Sequence, residues 1–233
     1  EKDEDVEELS DKEWKSILFQ IIMILVTYQK VFKFTHNDLH TNNIMYNKTD
    51  RKFLFYRFNE KYYKVPTFGR IFKIIDFGRA IYTYKDKICC SDSFHRKGDA
   101  ATQYNCEPYY NDNKPYIQPN PGFDLCRLSC SLFDYFFENI KDVKDEASEV
   151  ALLINEWCLD DTGRNILYKN NGEERYPEFK LYKMIARKVH KHIPHKQVDN
   201  GIFFEYISNR KKMPKNKNKI MNIDILQDCT KDY

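Results

Sequence analysis

Glycine is scarce, with seven residues in 233, and no G-x-G-x-x-G occurs anywhere, so the chain contains no glycine-rich loop to wrap phosphates. Long apolar runs are missing too. The longest, Ile17 to Val26, is broken by Gln20 and falls short of the roughly 20 residues a membrane span needs. No secretory signal opens the sequence. Its first residues are acidic (Glu1, Asp3, Glu4, Asp5, Glu7, Glu8), the opposite of a signal peptide's positive start. No C-x-x-C pair is present among seven cysteines, an odd number in a chain too large to need disulfide staples. A net charge of +3 is small for this length and gives no general case for nucleic-acid binding.

The remaining composition is that of a folded domain. Hydrophobic residues make up 42% and charged residues 31%, too apolar for a disordered chain and too evenly charged for a membrane protein. One domain is expected, with no membrane association, in a reducing intracellular compartment rather than a secreted setting. Cys126 and Cys130 lie one helical turn apart and read as small apolar side chains rather than as a metal clasp. An acidic flexible N-terminus is expected over residues 1–9. Arg210, Lys211, Lys212, Lys215, Lys217 and Lys219 suggest a solvated basic tail over residues 206–233, the one place where phosphates of a nucleic acid could be contacted.

The first ordered element is expected at Ser10. With Glu13 three residues on, it has the form of a capping box, and Trp14, Ile17, Leu18, Ile21, Ile22 and Leu25 then give one apolar stripe of a helix running to about Lys30. The segment 36–43 follows, then a short strand, Ile44 to Tyr46. Phe53 to Tyr56 and Tyr62 to Val65 flank Asn59-Glu60-Lys61 as a β-hairpin, and Ile71 to Ile75 form a strand that delivers Asp76-Phe77-Gly78. A stretch rich in Tyr, Asn and Pro covers residues 79–123. An apolar helix opens at Phe123, and a terminal helix over Tyr176 to Ile193 packs through Phe179, Tyr182, Ile185, Ala186 and Val189.

Two acids and an amide in this order suit phosphoryl transfer, which needs an oriented hydroxyl and neutralised phosphates more than covalent help. Asp38 can accept or orient a hydroxyl proton. Asn43 and Asp76, each beside a strand, offer hard oxygens to a magnesium ion. Gly78 lets the backbone turn beside Asp76.

His36-Asn37-Asp38-Leu39 with Asn43 in register resembles the H-R-D-L-x-x-x-N catalytic loop of protein kinases, and Asp76-Phe77-Gly78 matches their D-F-G triplet. The resemblance implies a fold class that is mostly α with short β-hairpins, the C-lobe of a protein kinase over residues 10–205, with the N-lobe absent from this chain. It implies Asp38 as base, Asn43 and Asp76 as magnesium ligands at the ATP phosphates, and His36, Phe77, Gly78 and Asp124 as structural support. Asp124 resembles the buried aspartate that ties the central kinase helix to the catalytic loop, a role compatible with that of a helix N-cap. ATP and Mg2+ are the implied cofactors. The implied partners are a protein substrate, a basic or histone-like protein among the candidates, and an N-lobe segment in cis or in trans.

The departures narrow the resemblance. Asn37 stands in place of the usual Arg, which argues against activation through a phosphorylated loop. His40 replaces the Lys of Ser/Thr kinases and matches neither the Ser/Thr nor the Tyr form of the loop, so hydroxyl specificity stays open, with Ser/Thr preferred. His40 at this position, the hairpin insertion over about 47–70 and Val65-Pro66-Thr67-Phe68-Gly69 are similar to the haspin branch, which makes His40 a second candidate catalytic residue. Haspins usually carry D-Y-T where this chain keeps Asp76-Phe77-Gly78. No A-P-E triplet follows; Cys106-Glu107-Pro108 is a faint echo, which leaves Arg164 without its usual partner and reads it as a surface residue. His190, His192 and His195 are read as surface histidines, because Pro194 breaks their spacing and no acidic or thiol ligand is close. The absent phosphate-gripping lobe and the Glu at position 1 suggest a fragment of a longer kinase. A pseudokinase-like interaction module recruiting a partner through the aromatic hairpin is the alternative, and a small-molecule kinase a minor third.

Overall fold

The computed structural model describes residues 8–231. Of the acidic segment expected over 1–9, residues 1–7 lie outside the described residues. Helix α1 (Asp11–Phe32) begins where the capping box sets it: the Glu13 N–H donates to Ser10 Oγ, and the Ser10 N–H donates back to the Glu13 carboxylate. It is long and apolar enough to cross a membrane by length and composition. Its residues Ser16 to Val26, Ile24 excepted, are buried inside the fold, which makes it the core helix. Gln20, the break in the apolar run, donates to Ser16 Oγ and accepts the Phe72 N–H, so a buried amide is satisfied while joining the helix to the neighbouring strand.

After α1 the chain passes through the loop 36–43 into β1 (Ile44–Lys48), then β2 (Phe53–Phe58), β3 (Lys61–Pro66) and β4 (Arg70–Ile74). β1 and β4 pair antiparallel, Ile44 opposite Ile74 through Lys48 opposite Arg70. β2 and β3 form the hairpin inserted between them. Its turn is Asn59-Glu60, both at positive φ (48° and 62°), the twist a two-residue hairpin requires. Tyr56, Phe58, Tyr63 and Val65 are buried, and Phe19 of α1 packs against the rings of Tyr56 and Tyr63. Tyr56, Phe58 and Tyr63 therefore serve the core, while Phe53, Phe55 and Tyr62 are half-buried.

A second hairpin, β5 (Ile81–Tyr84) and β6 (Lys87–Cys90), follows. Then come α2 (Phe123–Phe136), α3 (Glu149–Trp157), α4 (Lys180–Lys188) and α5 (Pro194–Gln197). One apolar cluster gathers α1, β2, β3, one face of α2 and α3; a second gathers the other face of α2, α4 and the segment 94–106. Cys126 and Cys130 are buried in α2, as apolar packing requires.

Two expectations need correction. The helix expected over 176–193 is only α4, because Pro177 disfavours helix at the residue before it and Glu178 sits at φ 55°. Of the solvated tail expected over 206–233, residues 206–231 are built into the fold, and 232–233 lie outside the described residues. β7 (Ile207–Ser208) pairs with β3, and β8 (Met221–Asn222) pairs parallel with β2. Met213 and Ile223 are buried, Asp224 accepts the N–H groups of Asn59 and Glu60, and Lys30 Nζ donates to the carbonyls of Ile223 and Asp224. A few apolar anchors and one capping carboxylate offset the like charges of the lysines.

Candidate active site

The loop 36–43 is held from below. Leu39 is fully buried, and the carboxylate of Asp124, in the first turn of α2, accepts the backbone N–H groups of His36 and Asn37, each at 2.9 Å. Asn37 adopts φ 64°, a left-handed conformation that asparagine tolerates better than most residues. Its amide is wholly engaged: Nδ2 donates to the Arg79 and Thr35 carbonyls, and Oδ1 accepts the buried Tyr104 hydroxyl at 2.6 Å. The position that departs from the kinase pattern is thus a knot joining the loop to the segment 79–123. His36 accepts the Asp38 N–H on Nδ1 and faces the Ile75 carbonyl with Nε2 at 2.9 Å, so the tautomer with its proton on Nε2 satisfies both.

The flanking side chains, Asp38 and His40, come out of this anchored loop. Asp38 is 22% exposed; its Oδ1 accepts the Tyr182 hydroxyl at 2.6 Å, with His40 Nε2 and the Arg79 guanidinium at 3.8 Å. Burial holds the His40 imidazole below the ordinary histidine value, against the opposing pull of Asp38. Asn43 Nδ2 donates to the Asp38 carbonyl at 2.9 Å and lies 3.3 Å from His40 Nε2, so His40 and Asn43 brace the turn from Asp38 into β1.

Asn43 and Asp76 meet through strand pairing. Ile44 stands opposite Ile74, and the Ile75 N–H donates to the Asn43 carbonyl at 3.0 Å, which places the residue before β1 beside the residues just after β4. Asp76 is exposed, at φ 59°, and its Oδ1 accepts the Gly78 N–H at 3.2 Å. A Cβ on residue 78 would stand 3.1 Å from that oxygen, so glycine preserves the room around the carboxylate. Phe77 turns back against the rings of Tyr28, Phe34 and His36.

These donors fit a magnesium ion. One exposed carboxylate and one amide whose nitrogen is already engaged present hard oxygens, and magnesium commonly takes one or two carboxylates, water and substrate phosphates rather than a full protein cage. Among the described residues no group of three or more His, Cys, Asp or Glu side chains gathers around a metal position. The three late histidines accordingly form no cluster. His190 pairs with Asp161, while His192, expected at the surface, is buried with Nε2 at 2.8 Å from the Leu159 carbonyl. Arg164 is half-exposed and pairs with Asp160 four residues earlier. Concavities of about 620 and 760 Å³ lie beside the C-terminal end of α1 and between α1, β2 and residues 218–221, and neither is lined by Asp38, Asn43 or Asp76.

Sequence reasoning passed over Tyr182, Arg79 and Tyr104. Tyr182 showed only as a member of an apolar helical stripe, which gives no sign that its hydroxyl reaches a carboxylate 144 residues away.

No protein-family model matches the chain. Serine/threonine-protein kinase haspin of Mus musculus and of Bos taurus are each 41% identical to it over 63 residues, covering 27% of this chain and 8% of each relative. The match spans a small part of the relatives' length, and what it supports is a kinase-like relationship over that stretch.

Proposed function

We propose that the chain is the catalytic lobe of a protein kinase that moves the γ-phosphoryl group of ATP to a protein hydroxyl, Ser or Thr by preference, on an intracellular substrate of basic or histone-like character. The observation that carries this reading is that Asn43 donates to the Asp38 carbonyl and its own carbonyl accepts the N–H of Ile75, the residue before Asp76, so that the three residues lie at the adjoining ends of two paired strands. When bound, magnesium and ATP would supply charge neutralisation and the transferred group. Asp38 orients the acceptor hydroxyl and takes its proton. Asp76 and the Asn43 amide oxygen hold the metal, while Asp124 and Phe77 fix the backbone that carries them. His40 shields Asp38 and braces Asn43. Because the sequence contains no glycine-rich phosphate loop, a further segment, in cis or in trans, closes over the nucleotide. The seven free cysteines suit a reducing compartment.

The test is ATP-dependent phosphorylation of a mixed peptide and histone panel with magnesium. It compares this chain, the full natural polypeptide, and an Asp76→Ala form of that polypeptide. Transfer that disappears in Asp76→Ala is the expected result. Absence of both transfer and magnesium-dependent nucleotide binding in the full polypeptide would overturn the reading.

A further inference from the structure

We propose that Tyr182 is a positioning residue for Asp38, its hydroxyl clamping one carboxylate oxygen so that the other faces the incoming acceptor. The role rests on the kinase reading above and extends it to a residue outside both kinase motifs. Among the described residues, the 2.6 Å bond from Tyr182 to Oδ1 is the one short contact that the Asp38 carboxylate makes. His40 and Arg79 stay at 3.8 Å, too far for a directional hydrogen bond. A side chain that is 22% exposed could be satisfied by water, so burial does not demand this partner. What the bond removes is rotation of the carboxylate about its own axis.

The tyrosine is itself held. Phe179 stacks on its ring at 5.1 Å and 11°, and the Arg127 guanidinium lies over the ring at 4.9 Å. Such a ring cannot swing its hydroxyl away from Asp38 without breaking both contacts. Burial, with the hydrogen bond to Asp38 adding to it and Arg127 opposing, raises the phenol above the ordinary tyrosine value, so it remains a donor at neutral pH. Simple packing would be served equally by phenylalanine; the hydroxyl aimed at Asp38 is what a positioning role adds.

Tyr182→Phe keeps the ring and deletes the bond. In the full natural polypeptide, kcat should fall roughly tenfold, with KM for ATP and acceptor unchanged and the thermal midpoint preserved. Tyr182→Leu should lose the midpoint as well. Transfer by the unmutated protein with unaltered kcat in Tyr182→Phe overturns the positioning role alone. A Tyr182→Phe loss that tracks a lowered midpoint also overturns it, by assigning the effect to packing. No transfer by the unmutated protein overturns the kinase reading and this role with it.

Discussion

Asp124 accepts the backbone N–H of Asn37 at 2.9 Å across 87 residues of sequence, and its second oxygen takes the N–H of His36. Two consecutive peptide donors are thereby satisfied in a fully buried setting. Asp124→Ala leaves both unpaired, and at about 1–3 kcal/mol per buried orphan the expected loss is roughly 3 kcal/mol. Asp124→Asn, which keeps one acceptor oxygen, should lose less. Urea denaturation of the three forms checks this; an Ala variant within about 1 kcal/mol of the parent would show that the loop does not depend on the carboxylate.

Burial disfavours the charged form of His40, so its folded value lies below the unfolded one, about 6.5. As pH falls through that window the unfolded chain takes up a proton that the folded chain resists, and stability declines. His40→Gln should remove this part of the pH slope. Denaturation midpoints at three pH values spanning the window, parent against variant, provide the comparison; parallel curves would contradict the assignment.

Asp160 behaves in the opposite regime. Burial alone would raise its pKa, but hydrogen bonds from Thr162 and Arg164 outweigh it and bring the carboxyl to about 2. A depressed folded value contributes stability above the unfolded pKa, and that contribution fades as pH falls toward about 2. Asp160→Asn should cost about 2 kcal/mol at neutral pH and almost nothing at pH near 2. A loss that is independent of pH would point to packing instead.

Asp224 holds the 206–231 segment to the hairpin turn, accepting from Asn59 and Glu60 at 2.7 and 3.1 Å with the Arg57 guanidinium at 3.4 Å. Asp224→Ala should destabilise the protein by about 1–2 kcal/mol and expose the lysine-rich stretch 210–219 to trypsin. Limited proteolysis followed by mass spectrometry reads the cleavage sites. Unchanged protection would mean that β7, β8 and Ile223 hold the segment without the cap.

Much of the frame was legible in the sequence because it is written in short-range terms. Ser10 and Glu13 mark the start of α1, its 3.6-residue stripe marks the buried face, and Asn59-Glu60 marks the hairpin turn. The spacing from His36 to Asn43 and the Asp76-Phe77-Gly78 triplet picked out the candidate residues Asn43 and Asp76, which strand pairing places at adjoining strand ends. Other features were not legible. The β5–β6 turn is Lys85-Asp86, at positive φ without glycine or asparagine to announce it. β7 and β8 are two residues each, too short for any period, and the surrounding lysines and asparagines mask Met213 and Ile223. Tyr182 and Tyr104 reach the loop through hydroxyl hydrogen bonds between residues far apart in sequence, which composition and spacing do not encode.

The β1–β4 ladder closes at Lys48 opposite Arg70, and the Thr49 N–H donates to the Gly69 carbonyl just beyond it. Everything from residue 50 to residue 68 therefore leaves and re-enters through a single gate. The distance between Asn43 and Asp76 is fixed on the near side of that gate, so insertions or deletions at the far end change the contour of the chain without moving the pair. Separation along the polypeptide is a poor ruler for this site, and a search for similar sites should tolerate any interval between the two motifs.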